Sequence, residues 1–132
     1  MDLEILHIAA DTDNNRNIKN RTHTSKLKNS LCGDEVQIEL VMKNKKILDF
    51  GYQGKSCVYC LASASLLSKI SINNQKDKIN NLCDEVEFYF DDTLKISDKE
   101  WISLKKLIKE KKVNKKDCIL LPFKTLKKIV SS

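Results

Sequence analysis

The 132-residue chain contains no apolar run approaching the ~20 residues needed to span a bilayer, so no membrane-crossing helix is expected. Its first residues, Met1-Asp2-Leu3-Glu4, are acidic and lack the basic stretch and apolar segment of a secretory signal, so a cytoplasmic location follows as the expectation. Aromatic residues make up only 6% of the chain, and none is interleaved with lysines to make a base-stacking platform, which disfavours nucleic acid as a partner. No internal repeat or low-complexity linker divides residues 1–132, so a single domain is expected. A chain of this size buries roughly two-thirds of its unfolded surface and needs neither metal nor disulfides merely to fold. Any cluster of ligating side chains therefore points to function more than to stapling.

Charge is present but unevenly placed. The formal net charge is +6, and residues 95–132 hold 12 Lys against 4 Asp/Glu. Seven of those lysines fall between Lys105 and Lys116. Such a stretch reads first as a solvated helix face and second as a docking surface for an acidic protein.

Periodicity gives an outline of the fold. Leu3, Ile5, Leu6, Ile8 and Ala9 form the apolar stripe of a short helix over residues 2–10, followed by the polar loop Asp11–Asn17. Residues Ile18 to Thr24 are an edge-strand candidate. Val36, Ile38, Leu40 and Met42 alternate with Gln37, Glu39 and Val41. After the polar turn Lys43–Lys46, Leu48, Phe50 and Tyr52 alternate with Ile47, Asp49 and Gly51, which predicts a β-hairpin. The period then lengthens to that of helices. Ser56 is the candidate cap of a helix from Cys57 to Ile70, and Ala62-Ser63-Ala64-Ser65 gives it a thin face. A second helix is expected over about 74–90, with Ile79, Leu82, Cys83, Val86 and Phe90 at helical spacing. Ser97-Asp98-Lys99-Glu100 resembles a capping box before Trp101, Leu104, Leu107 and Ile108. A last helix over about 116–130 contains the one proline, Pro122, which suits a first turn or else bends a helix. The fold class is α+β, with a small antiparallel sheet of about three strands covered by several helices.

Five cysteines remain to be placed. Cys60 and Cys83 fall at core positions of their helices. The pair Cys57-x-x-Cys60 has the spacing of a redox dithiol but lacks a βαβ setting, so packing is the simpler role for Cys60. His7 and His23 have no evident partner. Cys32 and Asp34 stand just before the first hairpin strand and Cys57 just after the second, hence at the same end of the sheet. A thiol at a helix N-terminus meets unpaired N–H groups that favour thiolate. Cys118, near the start of the last helix and preceded by Lys115 and Lys116, is expected to be biased the same way, although Asp117 opposes it. Three cysteines with one aspartate suit a tetrahedral zinc site or a [2Fe–2S] cluster with one labile ligand.

The runs Leu31-Cys32-Gly33-Asp34-Glu35-Val36, Asp49-Phe50-Gly51-Tyr52-Gln53-Gly54 and Cys57-Val58-Tyr59-Cys60-Leu61-Ala62-Ser63-Ala64-Ser65, with Cys118-Ile119-Leu120-Leu121-Pro122, resemble the IscU/NifU N-terminal iron–sulfur scaffold family. The 61-residue gap between Cys57 and Cys118 is similar to its SufU-type branch. The chain departs from the family pattern at Ser56, where glycine is usual, at Asp117, where IscU has histidine, and in the proline missing from the loop 14–17. The resemblance implies a scaffold with Cys32, Asp34, Cys57 and Cys118 as ligands of a transient [2Fe–2S] cluster, and Cys118 as sulfur acceptor. The implied partners are a cysteine desulfurase and recipient apoproteins, with no conventional active site in the chain itself. The alternative implied by the SufU-type branch is a zinc-dependent sulfurtransferase that uses the same four residues to hold Zn2+ and carries no cluster.

Overall fold

The computed structural model describes residues 3–29, 33–91 and 116–131. Its elements, in chain order, are α1 (Leu3–Ala10), β1 (His23–Lys28), β2 (Glu35–Lys43), β3 (Lys46–Gln53), α2 (Val58–Ser71), α3 (Lys76–Asp91) and α4 (Lys116–Val130). The strands form one antiparallel sheet in the order β1-β2-β3. The expected α+β class is therefore present, with four helices among the described residues.

The hairpin turns at Asn44 and Lys45, whose φ angles are 54° and 63°. Positive φ at both central residues is the backbone of a two-residue type I′ turn, whose twist matches that of the flanking strands. The alternation of Val36, Ile38 and Leu40 is realised, and all three are buried. On β3 the pattern departs from the expectation. Val41 pairs with Asp49 and Met42 with Ile47, so Leu48 is an extra residue in a bulge. Phe50 and Tyr52 remain on the core face and Ile47 joins them, while Leu48 is left 42% exposed.

The edge strand lies later than its expected 18–24 placement. Ile18 is buried outside the sheet, and its N–H donates to Glu39 Oε1 at 2.8 Å. There the chain crosses Gly51, where a Cβ atom would lie 2.3 Å from the Arg16 carbonyl oxygen. Pairing begins only at His23, opposite Leu40. Far from the site, Asn73, Asn74 and Lys76 exchange backbone bonds with Ile47 and Lys45, tying the α2–α3 connection to the hairpin tip.

Helix α4 packs against α2, α3 and the β1–β2 part of the sheet. Ile119, Phe123 and Leu126 are completely buried, which explains why a strongly basic segment still enters the core. Pro122 lies inside α4 and not in its first turn, and the helix continues through it to Val130. Cys60 and Cys83 are also fully buried, whereas His7 and His23 are exposed. The expected helix after Ser97, the lysines from Lys105 to Lys115, and Cys32 lie outside the described residues.

Candidate metal centre

The site begins with two tight backbone approaches. Asn29 N–H donates to the Asp34 carbonyl at 2.7 Å and Gly33 N–H to the Asn29 carbonyl at 2.8 Å, closing the β1–β2 connection. The loop leaving β3 then crosses the start of β2. Glu35 N–H donates to the Lys55 carbonyl at 2.8 Å, and a Cβ on Gly54 would lie 1.9 Å from the Glu35 carbonyl oxygen. Gly54 has φ +147°, so the position demands glycine both for its dihedral and for its lack of a side chain.

That loop delivers Cys57 as the N-cap of α2. Its backbone is extended, with φ −73° and ψ 170°, and its carbonyl accepts the first helical bond from Leu61 N–H at 3.0 Å. Ser56, the residue expected to cap, stands one position too early. The donor that reaches the missing cap acceptor is the Cys57 N–H itself, which bonds to Asp34 Oδ1 at 3.2 Å. Thus Asp34 serves the helix start as a side-chain acceptor supplied from the residue just before β2.

Cys118 enters from the first turn of α4. One ligand atom each from Asp34, Cys57 and Cys118 lies within 4.8 Å of the others. Asp34 is 9% exposed and Cys118 6% exposed, while Cys57 is half-buried. The remaining carboxylate oxygen, Asp34 Oδ2, is buried with no hydrogen-bond partner among the described residues. A buried carboxylate oxygen without a partner is costly, and a cation would satisfy it. A tetrahedral ion about 2.0–2.3 Å from each donor needs donors roughly 3.5–3.8 Å apart, so modest side-chain closure suffices. Two soft sulfurs and one hard oxygen suit zinc or an iron–sulfur cluster. Cys32, the fourth expected ligand, lies outside the described residues but stands two positions before Asp34 in sequence.

The environment of Cys118 reverses one expectation. Burial, then the neighbouring Cys57 sulfur and the Asp34 carboxylate, push its thiol well above the usual cysteine range. In the metal-free protein Cys118 therefore keeps its proton, despite the helix start and the nearby lysines. A cation between the three groups would supply the missing positive charge and displace that proton. Cys60 and Cys83 belong to the core, and neither joins the ligand cluster.

With this geometry in view, the comparison with known sequences is direct. Residues 4–88 match the family of NifU-like N terminal domains. The chain belongs to that family. An uncharacterised protein of Borreliella burgdorferi is 32% identical over 119 residues, covering 90% of this NifU-like chain and 82% of that protein. The iron–sulfur cluster assembly scaffold protein IscU of Thermotoga maritima is 35% identical over 60 residues, which is 46% of this chain and 42% of IscU. A crystal structure from Fervidobacterium islandicum, assigned as an iron–sulfur cluster assembly scaffold for the SUF system, shares the fold with a TM-score of 0.89 at 22% identity. It covers 96% of this chain and 93% of its own. The family match spans Cys32, Asp34 and Cys57 and ends before Cys118, which the fold brings beside Asp34 and Cys57.

Two further residues shape the surroundings of Cys57 and Cys118, and neither is a candidate ligand in the sequence. Gly54 carried a signal in its place three residues before Cys57. Ser63 belongs to the thin helix face expected from the sequence, and its hydroxyl also reaches the segment that holds Cys118. No helix among the described residues is long and apolar enough to cross a membrane.

Proposed function

We propose that this protein is an iron–sulfur cluster assembly scaffold of the cytoplasm. Cys32, Asp34, Cys57 and Cys118 hold iron and sulfide as cargo in the form of a transient [2Fe–2S] cluster, and Cys118 is the residue that accepts sulfur. The observation that carries this reading is the convergence of Asp34, Cys57 and Cys118 from three separate parts of the chain, with Asp34 Oδ2 buried and without a hydrogen-bond partner among the described residues.

The sulfur donor is a cysteine desulfurase bearing a persulfide. Once its proton has passed to solvent, the Cys118 thiolate attacks the outer sulfur of that persulfide. The desulfurase S–S bond breaks, its cysteine leaves as thiolate, and the new S–S bond is on Cys118. Cys57, at a helix start and half-buried, is the more accessible of the two described thiols of the cluster. Asp34, fixed through Oδ1, presents Oδ2 as the hard and more exchangeable donor, which suits release to a recipient apoprotein.

The mixed sulfur and oxygen donor set favours a second reading in which Zn2+ is resident and the protein is a sulfurtransferase. The same four residues would hold the ion, which would lower the thiol's hold on its proton. Anaerobic reconstitution with iron and sulfide separates the two. The scaffold gives visible thiolate-to-iron absorption, whereas a colourless protein with one zinc supports the sulfurtransferase. Ser substitution at Cys32, Cys57 or Cys118 is expected to lower metal content at least about tenfold, and at Cys60 or Cys83 to leave it intact. Loss of metal from Cys83→Ser with retention in Cys57→Ser would refute the ligand assignment.

A further inference from the structure

Helix α4 has a weak place beside its cysteine. Proline has no backbone N–H, and the residue four positions before Pro122 is Cys118, so the Cys118 carbonyl lacks its ordinary helical donor. The N–H groups of the first turn also have no intrahelical partners. The turn that carries Cys118 is therefore held by fewer backbone bonds than any later turn of α4.

A side chain on α2 grips that turn. Ser63 is completely buried, and its hydroxyl donates to the carbonyl of Ile119, the residue after Cys118, at 2.6 Å. The same α2 begins at Cys57. One rigid helix thus carries one ligand at its cap and holds the neighbour of a second. Ser65 offers a built-in contrast, because its hydroxyl makes a comparable bond, 3.0 Å to the Asp11 carbonyl, on a segment that bears no ligand.

We propose that Ser63 is a positioning residue for the metal centre: its hydrogen bond to Ile119 compensates for the bond that Pro122 forfeits, and so fixes Cys118 relative to Cys57 and Asp34. The inference rests on the ligand assignment above and adds a residue that does not itself touch the metal.

The test is anaerobic titration of the full chain with Co2+, whose thiolate charge-transfer and ligand-field bands report sulfur ligation and tetrahedral geometry. Ser63→Ala is expected to weaken Co2+ binding about tenfold and to reduce the ligand-field intensity. Ser65→Ala should stay within about twofold of the parent, and Ser63→Thr, which retains the hydroxyl, should bind more tightly than Ser63→Ala. Pro122→Ala restores an N–H opposite the Cys118 carbonyl, so in that background Ser63→Ala should cost less than about threefold. That second background also keeps the comparison readable if the single variant does not fold. Equal losses for Ser63→Ala and Ser65→Ala, or an undiminished tenfold loss with alanine at 122, would overturn the proposal. Absence of cobalt–thiolate bands in the parent protein would instead overturn the ligand assignment, and this inference with it.

Discussion

Cys57 donates its backbone N–H to Asp34 Oδ1 at 3.2 Å, across a sequence separation of 23 residues. That bond makes the two carboxylate oxygens unequal. Oδ1 is occupied by the protein, while Oδ2 is buried with no hydrogen-bond partner among the described residues, and the carboxylate lies close to the sulfurs of Cys57 and Cys118. The same side chain therefore finishes a helix start and, in the proposed scaffold, is the one that would give an oxygen to a cation.

Asp34→Asn separates those duties. An amide can keep an oxygen toward the Cys57 N–H but places an NH2 group where the free carboxylate oxygen stood. The fold should persist while metal retention against a chelator falls at least about tenfold. Elemental analysis before and after chelation measures it, and unchanged retention would remove Asp34 from the ligand set.

Gly54→Ala tests the approach of the two site loops. Its Cβ would lie 1.9 Å from the Glu35 carbonyl oxygen, and the contact is with backbone, which cannot turn aside. Relief requires the 54–57 loop to lift from β2. A loss of roughly 2–4 kcal/mol in denaturant unfolding is expected, together with weaker metal binding, because Cys57 leaves with the loop. Parent-like stability would show that the loop is not held this closely.

The buried Cys83 thiol gives a pH signature independent of the metal site. Burial pushes it up from 9.0 to about 12. Between those values the unfolded chain releases the proton and the folded chain keeps it. The unfolded state then binds fewer protons, so stability falls as pH rises, at up to about 1.4 kcal/mol per pH unit. Urea unfolding of metal-free protein from pH 8 to 11 should show a shallower fall in Cys83→Ala than in the parent. Parallel curves would contradict a buried, protonated thiol at this position.

Much of this was legible along the chain because it depends on near neighbours. Val36, Ile38 and Leu40 alternate as a half-buried strand must, and Cys83 shares helical spacing with Ile79 and Val86. The hairpin also brings Asp34 and Cys57 to one end of the sheet, as antiparallel pairing requires. The Ile47-Leu48 step was ambiguous for a physical reason. Both residues are large and apolar, so the hydrophobic pattern is nearly the same with and without a bulge, and only pairing with Met42 decides which of the two is buried. Ser56 was a reasonable cap by residue type, but the acceptor at the start of α2 comes from Asp34, a partner no local pattern reveals.

The sequence by itself determined the hairpin, the helices on either side of it and the last helix, the small core cysteines and the placing of Asp34, Cys57 and Cys118 beside element ends, because propensity and periodicity act over a few residues. Only the tertiary structure decided which oxygen of Asp34 takes the Cys57 N–H, which helix turn Ser63 holds, and that the Cys118 thiol is pushed above its ordinary range. Lys115 and Lys116 are its neighbours in sequence. Its proton, however, answers to burial and to the charges folded against it, and those come from Cys57 and Asp34, dozens of residues away.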